Sequence, residues 1–478
     1  MKSVGSLQVC AGHEAGCEAL VHAMKHLFDD EESTEAVLLV DASNAFNSVN
    51  RKLFLHNIKV VCPAIATFVN NCYSSDSRLF IAGGGEIKSR EGTTQGGPIA
   101  MATCAIATIP LLLHLLEFSE KEHLITKSAA YADDLTAAGK LRSLRRWWDK
   151  LCEIGPSFGY YPNAVKTWII VKSDDLIPQA NEIFSGPGVK ITSEGKRHLG
   201  AALGKDSFRK SYVKEKVNDW IEEIKVLSNI AKTEPKSAYA AFVSGFKHKI
   251  SYVMRTIPDV KEQLKPLDQV IATEFITSIT NGIVCSYNLR KLIALPPKLG
   301  GLGIPIFSEI SDTEYQNSQK LTQHLATNII NQEVLLNESE ETKKIKNEIK
   351  SAKRRSLEET LKTLREQMEP NLLKLNDLAC VKGASSWLTL LPIADEGYDL
   401  HKELFWDLIR IRYGYQLNRL PTTCECGSKF NLQHALSCKK GGFVSLRHNE
   451  LRNVIALLLK TVCKDVVVEP SLQPLTGC

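Results

Sequence analysis

The chain lacks a strong surplus of either charge. Fifty-nine lysines and arginines face 54 aspartates and glutamates, a net charge of +5 over 478 residues, so composition permits a nucleic-acid partner without announcing one. No internal repeat is present, which excludes a solenoid. The opening residues, Met1 to Cys17, lack a basic start followed by a long apolar run, and no secretory leader is expected. Thirteen cysteines are an odd number, most of them single among apolar positions. That is no disulfide framework, and it suits a reducing, intracellular setting. Hydrophobic residues at 44% and charged residues at 24% exclude wholesale disorder, a collagen-like fibre and a bare coiled coil. A length of this order fits about three domains.

What is present is unevenly spread. Residues 1–50 hold two lysines against eight acidic residues, net −6, so the rest of the chain carries +11. Ala36 to Val40 is a continuous apolar run ending at Asp41, the pattern of a buried strand closed by a carboxylate. Apolar residues at helical spacing run from Phe54 to Val69, interrupted by Pro63. Arg78–Ile81 and Glu86–Lys88 flank a glycine turn and predict a hairpin. From Gly92 to Leu116 no residue is charged, long enough to span a bilayer, but Thr93, Thr94, Gln95, Thr103, Thr108, Pro110 and His114 favour a buried helix and no membrane partner. Ala129 to Gly139 predicts two short strands meeting at an acidic turn, Leu141 to Ile154 a helix, and Thr167 to Val171 another strand. Strands alternating with helices predict a mixed core. Tyr212 to about Gln332 reads as mainly helical and more basic. Glu338 to Glu369 holds 17 charged residues in 32 with an apolar stripe. It suits a solvated connecting helix, with a nucleic-acid-facing basic patch around Lys350 to Arg355 as the other reading.

Two constellations carry chemistry. Asp133 and Asp134 share a turn and Asp41 ends a strand. Carboxylates so placed repel one another unless a divalent cation neutralises them, and a pair of magnesium ions held this way serves phosphoryl transfer. An ordinary acidic turn remains the other reading. Near the C-terminus, Cys424, Cys426, His434 and Cys438 form a Cys-x-Cys-x7-His-x3-Cys pattern, four donors able to make a closed zinc site. Unpaired thiols are the alternative.

The order of motifs adds a family resemblance. Asp41-Ala42-Ser43-Asn44-Ala45-Phe46-Asn47 resembles the first palm motif of reverse transcriptases, and Glu91-Gly92-Thr93-Thr94-Gln95-Gly96-Gly97-Pro98 their template- and nucleotide-positioning motif. Tyr131-Ala132-Asp133-Asp134 resembles their Tyr-x-Asp-Asp box. Gly159 to Thr167 and His198-Leu199-Gly200 resemble the fourth and fifth motifs. The match is to reverse transcriptases of non-LTR retrotransposons, in the branch with a restriction-like endonuclease. Leu295 to Ile304 resembles a stretch of that family's thumb. The cysteine–histidine cluster, with Ser385 to Leu388, Tyr413-Gly414 and Arg447 to Glu450, resembles the element between its polymerase and nuclease.

The resemblance implies roles. Asp41 and Asp133 would be the principal ligands for magnesium or manganese, with Asp134 beside them and the Ala42 carbonyl adding an oxygen. Phe46 would exclude a nucleotide 2′-hydroxyl, a role compatible with core packing. Gln95 and Gly96 would lie beneath the incoming nucleotide and template base, Tyr131 beside the primer end, and Lys166 near the triphosphate. Tyr131 also suits a sheet, and Lys166 a solvent-facing strand start. Lys214, Lys216, Lys247, Lys249 and Arg255 would meet primer–template phosphates.

The implied fold class is α+β: a right-hand polymerase palm with partial or missing fingers, a helical thumb, a small zinc-binding module and a truncated nuclease start. The expected divisions are 1–203 palm with remnant fingers, 204–332 thumb, 333–400 connector, 401–445 zinc module and 446–478 nuclease stub. The expected activity is an RNA-directed DNA polymerase using an RNA template, a DNA primer or target and deoxynucleotides, with Mg2+ and Zn2+ as cofactors, in the nucleus if functional. Only forty residues precede Asp41, where the family has its fingers, Gly97 replaces a polar residue of the family motif, and the nuclease's acidic constellation has no counterpart after Glu469. Impaired activity is therefore expected, the alternative being a non-catalytic nucleic-acid-binding remnant.

Overall fold

The computed structural model describes residues 5–10, 12–30, 32–334, 340–417 and 420–470. The opening of the charged stretch at Glu338 and the final residues 471–478 lie outside them. Two compact units are present, Met1–Lys402 and Glu403–Cys478; the stretches 1–203, 204–332 and 333–400 all fall within the first.

The strands are β1 (Ala36–Val40), β2 (Ser77–Ile81), β3 (Gly85–Ser89), β4 (Thr126–Tyr131), β5 (Asp134–Gly139), β6 (Trp168–Val171), β7 (Lys190–Thr192), β8 (Gly195–His198) and β9 (Ala201–Gly204). Five of them form the central sheet in the order β4-β5-β1-β6-β7. Its pairs are antiparallel except β6 with β7. β1 is apolar along its whole length because both sheet faces are covered. Ala36, Leu38 and Val40 face a cluster containing Leu111, Leu112 and Leu115 of helix Ala100–Lys121 and Leu144, Trp147 and Leu151 of helix Leu141–Ile154. Val37 faces the other cluster, with Leu20, Ala23 and Met24 of helix Gly16–Asp29 and Ala326 and Ile329 of helix Phe307–Asn331. Alternate residues of one strand thus serve two cores.

The helix Ala100–Lys121 divides the uncharged stretch, leaving Gly92 to Ile99 outside it as the approach. By length and composition it is apolar enough to cross a membrane, and 61% of its most apolar window is buried inside this fold. The expected hairpins form: β2 pairs with β3 around the glycine turn, and β4 with β5 around Ala132 and Asp133. Beyond β9 the first unit is helical, from Asp206–Ile230 through Phe307–Asn331 to Glu340–Glu366 and the shorter helices that follow it. Cations of this basic body meet the acidic opening section: Arg255 Nε lies 3.0 Å from Glu18 Oε1, and Lys346 pairs with Glu14.

In the second unit, helix Lys402–Arg412 precedes a short knuckle, helix Leu432–Ser437 and helix Phe443–Lys460.

Candidate active site and metal centre

Sheet register builds the first site. Val40 pairs with Leu135 at the end of the β1–β5 ladder, so one step further Asp41 comes beside Asp134. Tyr131 pairs with Asp134, which leaves Ala132 and Asp133 as a two-residue turn. Three carboxylates from two distant stretches therefore meet at one end of the sheet. The electrostatics record the crowding. Asp133 is half-buried, and loss of water, then the Asp41 charge, pushes its carboxyl above the usual range. The Asp134 carboxyl is pushed up to about 6, first by the surrounding protein and then by Asp133 and Asp41, with Arg197 opposing. Asp134 as a whole residue is exposed, so water still reaches this edge. Carboxylates stripped of water and set beside other negative charges are the donor set a divalent cation relieves.

Asp41 is held through its backbone. Its N–H donates to Thr167 Oγ1 at 3.3 Å, and its carbonyl accepts from Asn163 N–H at 2.8 Å. Ser43 N–H donates to the Tyr161 carbonyl at 2.8 Å, so Ala42 faces Pro162 as a bridge pair between these two bonds. In such a pair the residue's own N–H and C=O point away from its partner, which turns the Ala42 carbonyl away from the 161–163 segment. Lys166 Nζ lies 3.9 Å from Asp41 Oδ1 with both side chains largely solvated, a weak pair in solution that keeps a mobile cation at the rim.

The other expected residues are placed as follows. Phe46 is half-buried in the short helix Ala45–Ser48, packed against the cluster around Phe54 and Ile106. Its carbonyl accepts from Thr93 N–H at 2.6 Å, and Val49 accepts from Gly92 N–H at 2.9 Å, which docks the Glu91–Pro98 loop on this segment. A Cβ at Gly92 would lie 2.3 Å from the Asn47 backbone, so this approach requires glycine. Gln95 and Gly96 are exposed at the centre of a turn closed by Gly97 N–H to the Thr94 carbonyl at 2.9 Å. Gly96 has φ 86° and open space around it; its need for glycine is conformational alone. Tyr131 is half-buried on β4.

Arg51 and Gln8 escaped the sequence reading, and Tyr160 entered it only as part of the fourth motif, with no role of its own. Arg51 is 5% exposed and donates to the carbonyls of Ser89, Glu91 and Gly92 at 2.9, 2.9 and 3.2 Å, gripping the same loop from below. Buried Tyr160 donates from its hydroxyl to the Asp133 carbonyl at 2.8 Å. Gln8, fully buried, bonds both backbone groups of Ala132. Ala132 has φ 56°, a sparsely populated conformation for a residue with a Cβ that costs about 1–3 kcal/mol and persists where neighbours over-determine it. A lone amide between Leu7 and Val9 was the available signal for Gln8; its partner is more than a hundred residues away.

The second site is local. Cys424 N–H donates to the Ser428 carbonyl at 2.9 Å and Gly427 N–H to the Cys424 carbonyl at 2.7 Å, a tight turn that Gly427 enters at φ 84°. Asn431 caps the next helix by accepting from His434 N–H at 2.8 Å, and that helix delivers His434 and, four residues on, Cys438. The four donor atoms lie within 4.8 Å of one another. Cys424 Sγ and Cys438 Sγ are 3.7 Å apart, close to the roughly 3.8 Å edge of a tetrahedron with 2.3 Å zinc–sulfur bonds and far beyond the roughly 2.05 Å of a disulfide. Hydrogen bonds from Ser428 lower the Cys426 thiol to about 6, favouring the thiolate that binds metal. This Cys3His cluster can coordinate a zinc ion.

No known family model matches the chain, and no curated protein matches it. Solved structures give a distant likeness. Telomerase from Candida albicans in complex with a TWJ fragment of telomeric RNA has a TM-score of 0.36 at 10% identity, covering 82% of this chain and 56% of that one. Telomerase from Candida tropicalis with the same kind of fragment gives 0.31 at 10%, covering 68% and 53%. The apo form from Candida tropicalis gives 0.34 at 11%, covering 71% and 57%. The chain therefore spans a little over half the length of each.

Proposed function

We propose that this chain is the polymerase portion of a non-LTR retroelement's reverse transcriptase, adding deoxynucleotides to a DNA 3′-hydroxyl on an RNA template. The observation that carries the reading is the convergence of Asp41, Asp133 and Asp134 at one sheet end, with two of the three carboxyls pushed above their usual range. Asp41, Asp133, Asp134 and the Ala42 carbonyl would hold magnesium or manganese. When bound, such ions acidify the attacking hydroxyl and neutralise the leaving pyrophosphate.

The chain's own residues do the rest. Lys166, at the rim beside Asp41, meets the triphosphate and draws it toward the carboxylates. The exposed Gln95–Gly96 turn, with open space beside Gly96, receives the nucleotide and template base, and Gln95 both donates and accepts hydrogen bonds there. Phe46, bonded through its carbonyl to the same loop, excludes a 2′-hydroxyl by occupying its space. Tyr131 supports the primer end. The Cys3His cluster would hold zinc as a structural ion that folds its module and helps position nucleic acid; a closed four-donor site leaves no position for hydrolytic chemistry. RNA and DNA are the partners, and copying at chromosomal DNA would take place in the nucleus.

Primer extension on an RNA template with magnesium, comparing the unaltered chain with Asp133→Asn, tests this. Incorporation by the former and its loss in the latter is expected; equal incorporation by both sinks the catalytic assignment. Salt-sensitive RNA binding with no extension by either would leave the chain as a nucleic-acid-binding remnant.

A further inference from the structure

The acidic turn is gripped by a side chain that belongs to no motif. Leu7 to Val9 lies along the outer edge of β4, where Ala130 N–H donates to the Leu7 carbonyl at 2.7 Å and Val9 N–H to the Ala130 carbonyl at 2.9 Å. Between them the Gln8 side chain enters the core and is completely enclosed. Its Nε2 donates to the Ala132 carbonyl at 2.9 Å and to Thr108 Oγ1 at 2.8 Å. Its Oε1 accepts from Ala132 N–H at 2.9 Å and from Cys10 N–H at 3.2 Å. Both donors and both lone pairs of the amide are thereby used. Two of the four bonds close on a single residue, the one that directly precedes Asp133. Ala132 is itself 1% exposed, so without this amide its N–H and C=O would be buried with no water to replace it.

We propose that Gln8 is a positioning residue for the aspartate pair. By holding Ala132 at positive φ from both its amide and its carbonyl, it sets the direction in which Asp133 and Asp134 leave the hairpin, and so the spacing of the carboxylates relative to Asp41. Tyr160 fixes the next carbonyl, that of Asp133, at 2.8 Å, which makes the turn a clamped element rather than a solvated hairpin tip. The inference rests on the polymerase reading for its consequence in catalysis, but the clamp is a property of the fold alone.

The test uses the full chain and three readouts. Gln8→Met keeps length and bulk and removes the amide. Hydrogen exchange of the amides at 131–134 is expected to accelerate at least tenfold, with exchange in β1 unchanged. Mn2+ affinity, measured by electron paramagnetic resonance with Asp133→Asn as background, is expected to fall about tenfold. In primer extension kcat is expected to fall about tenfold, with KM for the nucleotide within twofold. Unchanged exchange at the turn, or Mn2+ affinity within twofold of the unaltered chain, overturns the inference. Should Gln8→Met lose β1 protection as well, Thr108→Val decides. It removes the bond that orients the Gln8 amide, along with the hydroxyl's bond to the Ala105 carbonyl of its own helix, and about threefold faster exchange at the turn is expected; no change overturns the clamp. If the unaltered chain binds Mn2+ at Asp133 yet extends no primer, the polymerase reading falls and the Mn2+ and exchange data still judge Gln8.

Discussion

The two candidate sites are assembled in opposite ways. The carboxylate site draws on residues 8, 41, 133, 134, 160 and 166, which only the packed sheet brings together. The Cys3His site draws all four donors from a stretch of fifteen residues, Cys424 to Cys438. In the first, two buried cores align the strands, and the carboxylates are left pressed together at the edge, so folding stabilises an arrangement that is locally repulsive. In the second, a knuckle and a one-and-a-half-turn helix have little apolar surface of their own, and most side chains of the following helix remain exposed. There a bound metal would supply what a core does elsewhere. A site held by packing should survive loss of its ion, and a site held by its ion should not.

Zinc removal is the largest expected effect. A strong chelator, or Cys438→Ser, should abolish exchange protection at the Cys424, Phe430 and Cys438 amides while that of Leu38 and Val40 persists. Apparent binding energies of such sites are about 10 kcal/mol or more. Metal content should fall by one zinc per chain, and persistence of the knuckle's protection without metal would erase the contrast.

Asp133→Asn comes next. It should lower primer extension at least a thousandfold, about 4 kcal/mol of barrier, while the thermal midpoint stays within a few degrees, because the substitution relieves repulsion without opening the core.

A pH effect is expected in the sheet unit from its buried histidines. His198 is buried, donates to or accepts from Thr136 Oγ1 at 3.0 Å, and is lowered to about 4 by removal from water. The unfolded chain, with an ordinary histidine near 6.5, then binds the proton more readily. Stability is full above pH 6.5 and falls as pH drops toward 4, by roughly 3 kcal/mol from this residue. His22, also lowered to about 4 chiefly by burial, acts in the same window. Denaturant melts of His198→Gln between pH 7 and 4 should therefore show a shallower decline than the unaltered chain.

The smallest effect sharpens the local site. Asn431→Ala removes the cap on the helix carrying His434 and should cost about 1 kcal/mol, read as weaker zinc retention in a chelator competition with no change at β1.

Element types were largely open to sequence reasoning where one force dominated. The apolar run of β1 and the amphipathic helix Leu141–Ile154 each reflect a single burial pattern, and the Cys3His donors needed only spacing. Gln8 could not be read this way, because an amide's partner is chosen by where the chain returns, and the turn at Ala132 violates the local preference of its own residue. Arg51 was hidden for the same reason: in sequence it is a cation at a helix start, and in the fold it binds three carbonyls of a loop some forty residues later.

By itself the sequence determined the most strongly patterned strands and helices, such as β1 and Leu141–Ile154, which side chains were candidate metal ligands, and that four of them lay close enough in the chain to meet. The motif resemblance led one to expect Asp41 beside Asp133 and Asp134, but the register that brings them together is set by tertiary structure, since antiparallel pairing answers to two hydrophobic faces at once. Tertiary structure also decided that their turn would be held from inside by Gln8, because a buried amide takes whatever backbone the packed core presents to it.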